Sequence, residues 1–128
     1  MDIERFTNFV DKWSFEFPKL YVDFLKKYNG IEIDKEFTYV DSRGTKNIST
    51  IPLVLPFGQA IPIFEFMQSI KKAKNVFFPI AITPVSISFY VLKVKGKNKG
   101  KIYEYFDESM KLCFDSIDEF FDILGIEI

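Results

Sequence analysis

Sixteen phenylalanines in 128 residues constrain this chain more than any other feature. With six tyrosines and one tryptophan they bring the aromatic share to 18%. Each buried aromatic ring removes roughly 150–250 Å² from water. A chain of ordinary domain length can therefore close one core without disulfide or metal staples, and residues 1–128 are expected to form a single domain. Cys113 is the only cysteine, so no intrachain disulfide is possible, which fits a reducing cytoplasm. No apolar run approaches the ~18 residues of a membrane span. The stretch from Met1 to Phe6 is acidic and amphipathic, without the basic start or apolar run of a signal peptide.

Helical periodicity opens the chain. Phe6, Phe9, Val10 and Trp13 lie at i, i+3, i+4 and i+7, which predicts a helix from Ile3 to about Trp13. Asp2 and Glu4 suit its positive N-terminal end. A second helix starts at Pro18, where a missing N–H costs nothing. Leu20, Tyr21, Phe24, Leu25 and Tyr28 form its buried face, and Asn29-Gly30 ends it.

Strand signals then take over. Ile31 to Val40 reads as a hairpin arm. Ile48 to Phe57 reads as an edge or irregular strand, because Pro52 and Pro56 cannot donate to a ladder. A third helix is expected from Pro62 to Lys74, with Ile63, Phe66, Met67 and Ile70 as its apolar stripe. Phe77 to Ile82 reads as a short buried strand, Ser86 to Lys95 and Lys101 to Phe106 as a hairpin about Gly96–Gly100, and Met110 to Phe114 as a last strand. Ser116 followed by Glu119 is a capping-box pattern opening a final helix that Gly125 ends. The fold class is α+β: an antiparallel or mixed β-sheet flanked by N-terminal helices, an inserted helix and a C-terminal helix.

The side-chain inventory argues against catalysis. There is no histidine, which removes the commonest general base, the serine–histidine triads and most zinc sites. Cys113 sits between Leu112 and Phe114 and reads as a buried structural thiol. Glu32 with Asp34, Asp107 with Glu108, and Asp118 with Glu119 are adjacent carboxylates, but exposed acids are the rule and nothing indicates a cleft around them. No catalytic residue, cofactor or metal site is expected.

Charge is unevenly distributed although the net value is only −1. From Arg43 to Lys101 the one acid is Glu65; from Ile102 to Ile128 the one base is Lys111. Such zones can steer a charged partner, though pairing with each other or with solvent is the plainer reading. Lys93, Lys95, Lys97, Lys99 and Lys101 alternate strictly. They could contact phosphate, but no arginine or stacking aromatic accompanies them, and lysines guarding an edge hairpin are the favoured reading. Direct nucleic-acid binding is not expected.

Two segments carry a family resemblance. Phe17-Pro18-Lys19-Leu20-Tyr21-Val22-Asp23-Phe24-Leu25-Lys26-Lys27-Tyr28-Asn29-Gly30 resembles a helix pattern of proline, aromatic, Phe-Leu and Asn-Gly. Phe114-Asp115-Ser116-Ile117-Asp118-Glu119-Phe120-Phe121-Asp122-Ile123-Leu124 resembles a closing Asp-Ser-Phe-x-x-Phe-Leu helix. Phe78-Pro79-Ile80-Ala81 and Gly100-Lys101-Ile102-Tyr103 fall between them, where two strands belong. In this order the motifs are similar to the SUKH superfamily, which includes the domain of the yeast cell-wall-synthesis regulator. Ile31 and Ile117 depart from its usual glycine and phenylalanine, and Glu32 to Lys74 matches least.

The resemblance implies a bacterial immunity protein that binds a cognate toxin domain, often a nuclease, inside the producing cell. It implies neither cofactor nor membrane, and the chain is expected to be a monomer or weak homodimer. A non-catalytic interaction or regulatory module unrelated to toxins is the alternative. A basic nuclease would face an acidic surface, for which Glu32, Asp34, Glu36 and Asp41 in the variable middle are candidates, with Glu104, Asp107 and Glu108 as a second group.

Overall fold

The computed structural model describes residues 1–41, 43–84 and 88–128, leaving aside the side chains of Asp34 and Lys35. Among these residues the strands form one six-stranded antiparallel sheet in sequence order: β1 (Ile31–Val40), β2 (Lys46–Val54), β3 (Phe77–Ile82), β4 (Phe89–Lys93), β5 (Ile102–Phe106) and β6 (Ser109–Phe114). Helices α1 (Ile3–Trp13) and α2 (Lys19–Lys27) precede the sheet, α3 (Phe57–Met67) is inserted between β2 and β3, and α4 (Ile117–Leu124) closes the chain. The architecture is α+β, as the element pattern predicts.

Pro52 leaves its mark on the sheet without placing β2 at an edge. β2 lies between β1 and β3, and the edge strands are β1 and β6. Glu32 pairs with Leu53 and Lys35 with Ile51, so Pro52 faces two residues of β1 across a bulge. A bulge is where a strand tolerates a residue with no N–H. The β2–β3 ladder is correspondingly brief, Leu53 with Ile82 and Val54 with Ala81. The lysine-bearing hairpin is also interior, since β4 and β5 each have two strand neighbours. Most of its lysines find partners within the chain instead. Lys93 stands over the Phe77 ring, Lys99 pairs with Glu16 and Lys101 with Asp115. β4 starts at Phe89, and the expected start at Ser86 lies outside the described residues.

Helix ends follow their caps. Asp2 is the N-cap of α1, its carboxylate accepting from the Arg5 N–H. Pro18 is the N-cap of α2 and not its first helical residue, so the helix begins at Lys19, one residue later than expected. Tyr28 is not core as expected; it is 39% exposed and its hydroxyl donates to the Glu127 carbonyl. α3 differs most from expectation. Pro56 is its N-cap and Pro62 lies inside it, so the helix begins five residues earlier and ends at Met67. Lys71, Lys72 and Lys74 follow it in a run of turns, where the Gln68 side chain donates to the Phe64 carbonyl and accepts from the Asn75 N–H. The buried face becomes Phe57, Ala60, Phe64 and Met67, and Phe66 turns outward.

In α4 the Ser116 hydroxyl accepts from the Glu119 N–H at 3.2 Å, and the Glu119 carboxylate accepts from Asp115 N–H at 3.1 Å. The reciprocal contact thus reaches one residue further back than in a standard capping box.

The phenylalanines are the mortar between layers. Phe9 of α1 meets Phe57 and Phe64 of α3 and Phe78 of β3 with ring centroids 5.1–5.6 Å apart. Phe24 of α2 meets Phe121 of α4 at 5.0 Å, and Phe120 meets Tyr90 and Phe114 on the sheet. Such pairs contribute about 0.5–1.5 kcal/mol each beyond their burial. A second, smaller cluster joins Met67 and Ala73 to Phe77, Phe89, Val91 and Tyr105, so both faces of the central strands are covered.

Candidate functional site

Two of the seven acids singled out in the sequence meet at one lysine. Asp41, at the end of β1, is a buried carboxylate. One oxygen accepts from the N–H groups of Arg43 (2.9 Å) and Thr45 (3.0 Å), the other from the Asn47 side chain (3.0 Å). Lys111 of β6 lies 3.9 Å from Asp41 Oδ2 and 3.5 Å from Glu104 Oε1, and donates to Asn47 Oδ1 at 3.0 Å. Lys111 is the lone base of the acidic C-terminal stretch, and it ties edge strand β6 to the β1–β2 hairpin through side chains. The Asn47 amide, the Thr45 and Arg43 N–H groups and the Lys111 charge hold the Asp41 carboxyl below the ordinary carboxylate range.

Beneath this hub the polar groups are tuned away from acid–base work. Tyr90 and Ser49 share a hydroxyl contact of 2.9 Å. The Cys113 sulfur lies 3.4 Å from the Tyr39 hydroxyl and 3.2 Å from the Lys111 carbonyl. Burial raises the Tyr39 and Tyr90 phenols and pushes the Cys113 thiol up to about 11. A thiol in that state is a structural group, as the sequence suggests.

Four of the other five candidate acids point to solvent. Glu32 and Glu36 are exposed on edge strand β1, and the Asp34 side chain lies outside the described residues. Asp107 and Glu108 are the exposed two-residue turn between β5 and β6, bounded by the Phe106–Ser109 pair. Both adopt positive φ, 49° and 62°. This is the conformation of a tight hairpin turn that Asn-Gly fills at least cost. Glu108 holds roughly 1–2 kcal/mol of strain here, while aspartate tolerates the conformation better, and such strain gathers at functional positions.

That turn forms one wall of a groove of about 740 Å³. Tyr105 and Ser109 lie on the same wall. The opposite wall is Phe66 and Ile70 with Lys71 and Lys72, from the end of α3 and the turns after it. Phe66 is 51% exposed. Among the described residues it and Phe106 are the two phenylalanines with no ring neighbour; every other one packs against an aromatic. Among the described residues no ion pair crosses the groove.

The sequence reading takes Asp107 and Glu108 as site candidates but counts Phe66 as core. The displaced start of α3 explains the miss. A helix read from Pro62 needs Phe66 to complete its stripe, whereas Pro56 followed by Phe57, Ala60 and Phe64 offers a better one. The Asp41–Asn47–Lys111–Glu104 hub spans three separate segments and leaves no local pattern.

A six-stranded antiparallel meander with two helices before it, one inserted after β2 and one closing it, defines an α+β protein built on a single sheet. The chain belongs to the SMI1 / KNR4 family (SUKH-1), whose family model matches residues 2–123. That match includes the stretch from Glu32 to Lys74, where the motif resemblance is weakest. Comparisons with curated proteins and with solved structures found no match. Among the described residues no helix is long and apolar enough to cross a membrane.

Proposed function

We propose that residues 1–128 act as one binding domain, an immunity protein that occludes a cognate toxin domain of nuclease type in the cytoplasm of the cell that makes both. The observation that carries this reading is membership of the SUKH-1 family over residues 2–123. Four exposed acids, Glu32, Glu36, Asp107 and Glu108, support it, since a nuclease site that receives phosphate is basic and complementary charge speeds and orders docking. Asp34, between Glu32 and Glu36 in the sequence, is carried into the proposal with them. Asp41 and Glu104 contribute by holding Lys111 and thereby the β1–β6 rim. Action by binding also suits a chain without histidine whose one thiol is buried.

Co-expression with the toxin domain encoded beside this chain tests the proposal. Growth rescue together with a complex at micromolar concentration or tighter is expected. No rescue and no complex would overturn it. A second reading, a non-catalytic regulatory module, is favoured by the SMI1 / KNR4 name of the matching family. A gene neighbourhood of wall-synthesis or signalling genes, with no toxin, would select it.

A further inference from the structure

We infer that the groove between the end of α3 and the β5–β6 turn is the seat of the partner, and that it takes a polypeptide segment presenting one large apolar side chain flanked by a basic and an acidic residue. The inference rests on the binding role proposed above and gives it a location and a chemistry.

The apolar part of the argument is Phe66. In a chain that buries its rings against one another, a half-exposed phenylalanine with no ring neighbour is an unfilled contact. Ile70 and Tyr105 line the same groove, so an apolar group entering it would meet three side chains. Binding energy at protein interfaces concentrates in such apolar pockets.

The polar part is the opposition of charge. Lys71 and Lys72 stand on one wall, Asp107 and Glu108 on the other, and among the described residues none of the four has an ion-pair partner. A polyanion drawn to the lysines would be repelled by the acids within the same groove. A polypeptide carries both signs at side-chain spacing and can satisfy both walls at once. The turn supplies the third element. Asp107 and Glu108 are kept at positive φ although Asn-Gly would form this turn with less strain. A turn more strained than Asn-Gly is accounted for if its carboxylates are used.

The test uses the full chain and the toxin domain encoded beside it, with affinity measured calorimetrically at two salt concentrations. Four variants are compared with the wild type: Phe66→Ser, Lys71→Glu with Lys72→Glu, Asp107→Asn with Glu108→Gly, and Lys26→Glu on the exposed side of α2 as control. The three groove variants are expected to weaken the complex at least tenfold, and the control less than twofold. The Asn-Gly variant should do so while its melting temperature holds or rises, an outcome that a merely structural turn cannot produce. Wild-type binding with all groove variants within twofold would overturn the groove and leave the immunity reading standing. No complex with the wild type would overturn that reading, and the groove with it.

Discussion

The side-chain oxygen of Asn29 accepts a hydrogen bond from the backbone N–H of Phe57 at 3.0 Å. The residue that ends α2 thus satisfies a free donor at the start of α3, across the interval occupied by the whole β1–β2 hairpin. Gly30 completes the joint. Its φ is 102°, and a Cβ there would lie 2.6–2.7 Å from the Pro56 ring and nitrogen. The Asn-Gly pair therefore has two jobs: it ends one helix and seats the next.

Asn29→Ala should destabilise the fold by about 1–2 kcal/mol, from the lost cap and from alanine at a φ of 46°. Asn29→Asp, which keeps the acceptor, should recover most of that loss. Gly30→Ala should cost more than Asn29→Ala, because strain at positive φ adds to the clash with Pro56. Urea unfolding of the three variants measures the order, and a neutral Gly30→Ala would refute the account of the joint.

The β5–β6 turn makes the opposite prediction. Replacing Asp107-Glu108 by Asn-Gly should raise stability by about 1–2 kcal/mol, since glycine adopts positive φ freely and asparagine tolerates it. In a domain of this length that corresponds to a melting temperature higher by several degrees. A drop in melting temperature would mean that the acids stabilise the turn, contrary to the strain argument.

Acid should loosen the β1–β6 rim. The Asp41 carboxyl is held below its ordinary value of 3.8 in the folded protein. A depressed carboxylate contributes stability that is complete above the unfolded value and is lost as pH falls through the folded one. Stability should therefore decline on going below about pH 4. Asp41→Asn should flatten that decline while lowering stability at pH 7. Equal slopes for the two proteins between pH 2 and 4 would show that Asp41 is not the responsible group.

Cys113 should be almost inert. Its thiol is pushed from 9.0 to about 11, which lowers the thiolate fraction at pH 8 about 100-fold before burial restricts access. Reaction with a thiol-specific disulfide reagent should be at least that much slower in the native protein than in urea. Comparable rates would contradict the buried position beside Tyr39.

Much of this fold is legible along the chain, and the exceptions share a cause. Phe6, Phe9, Val10 and Trp13 announce α1 because helix periodicity is local. Ser116 and Gly125 announce α4 because caps act within a few residues. Pro52 and Pro62 mislead because proline has more than one use. Pro52 sits on an interior strand opposite a bulge in β1, and Pro62 lies inside a helix that another proline begins. The candidate acids divide in the same way. A buried Asp41 and an exposed Glu36 look alike in a sequence, and only the arrival of Asn47 and Lys111 distinguishes them.

By itself, then, the sequence determined the element order, the α+β class, the caps of α4 and the aromatic character of the core, because each depends on the near neighbours of a residue or on bulk composition. Only the tertiary structure decided which acids are spent on Lys111, that Asn29 and Gly30 serve α3 as well as α2, and that Phe66 faces a charged groove instead of the core. Those outcomes depend on which segments meet after the sheet has formed, and through-space contacts between distant segments leave no periodic trace in the chain.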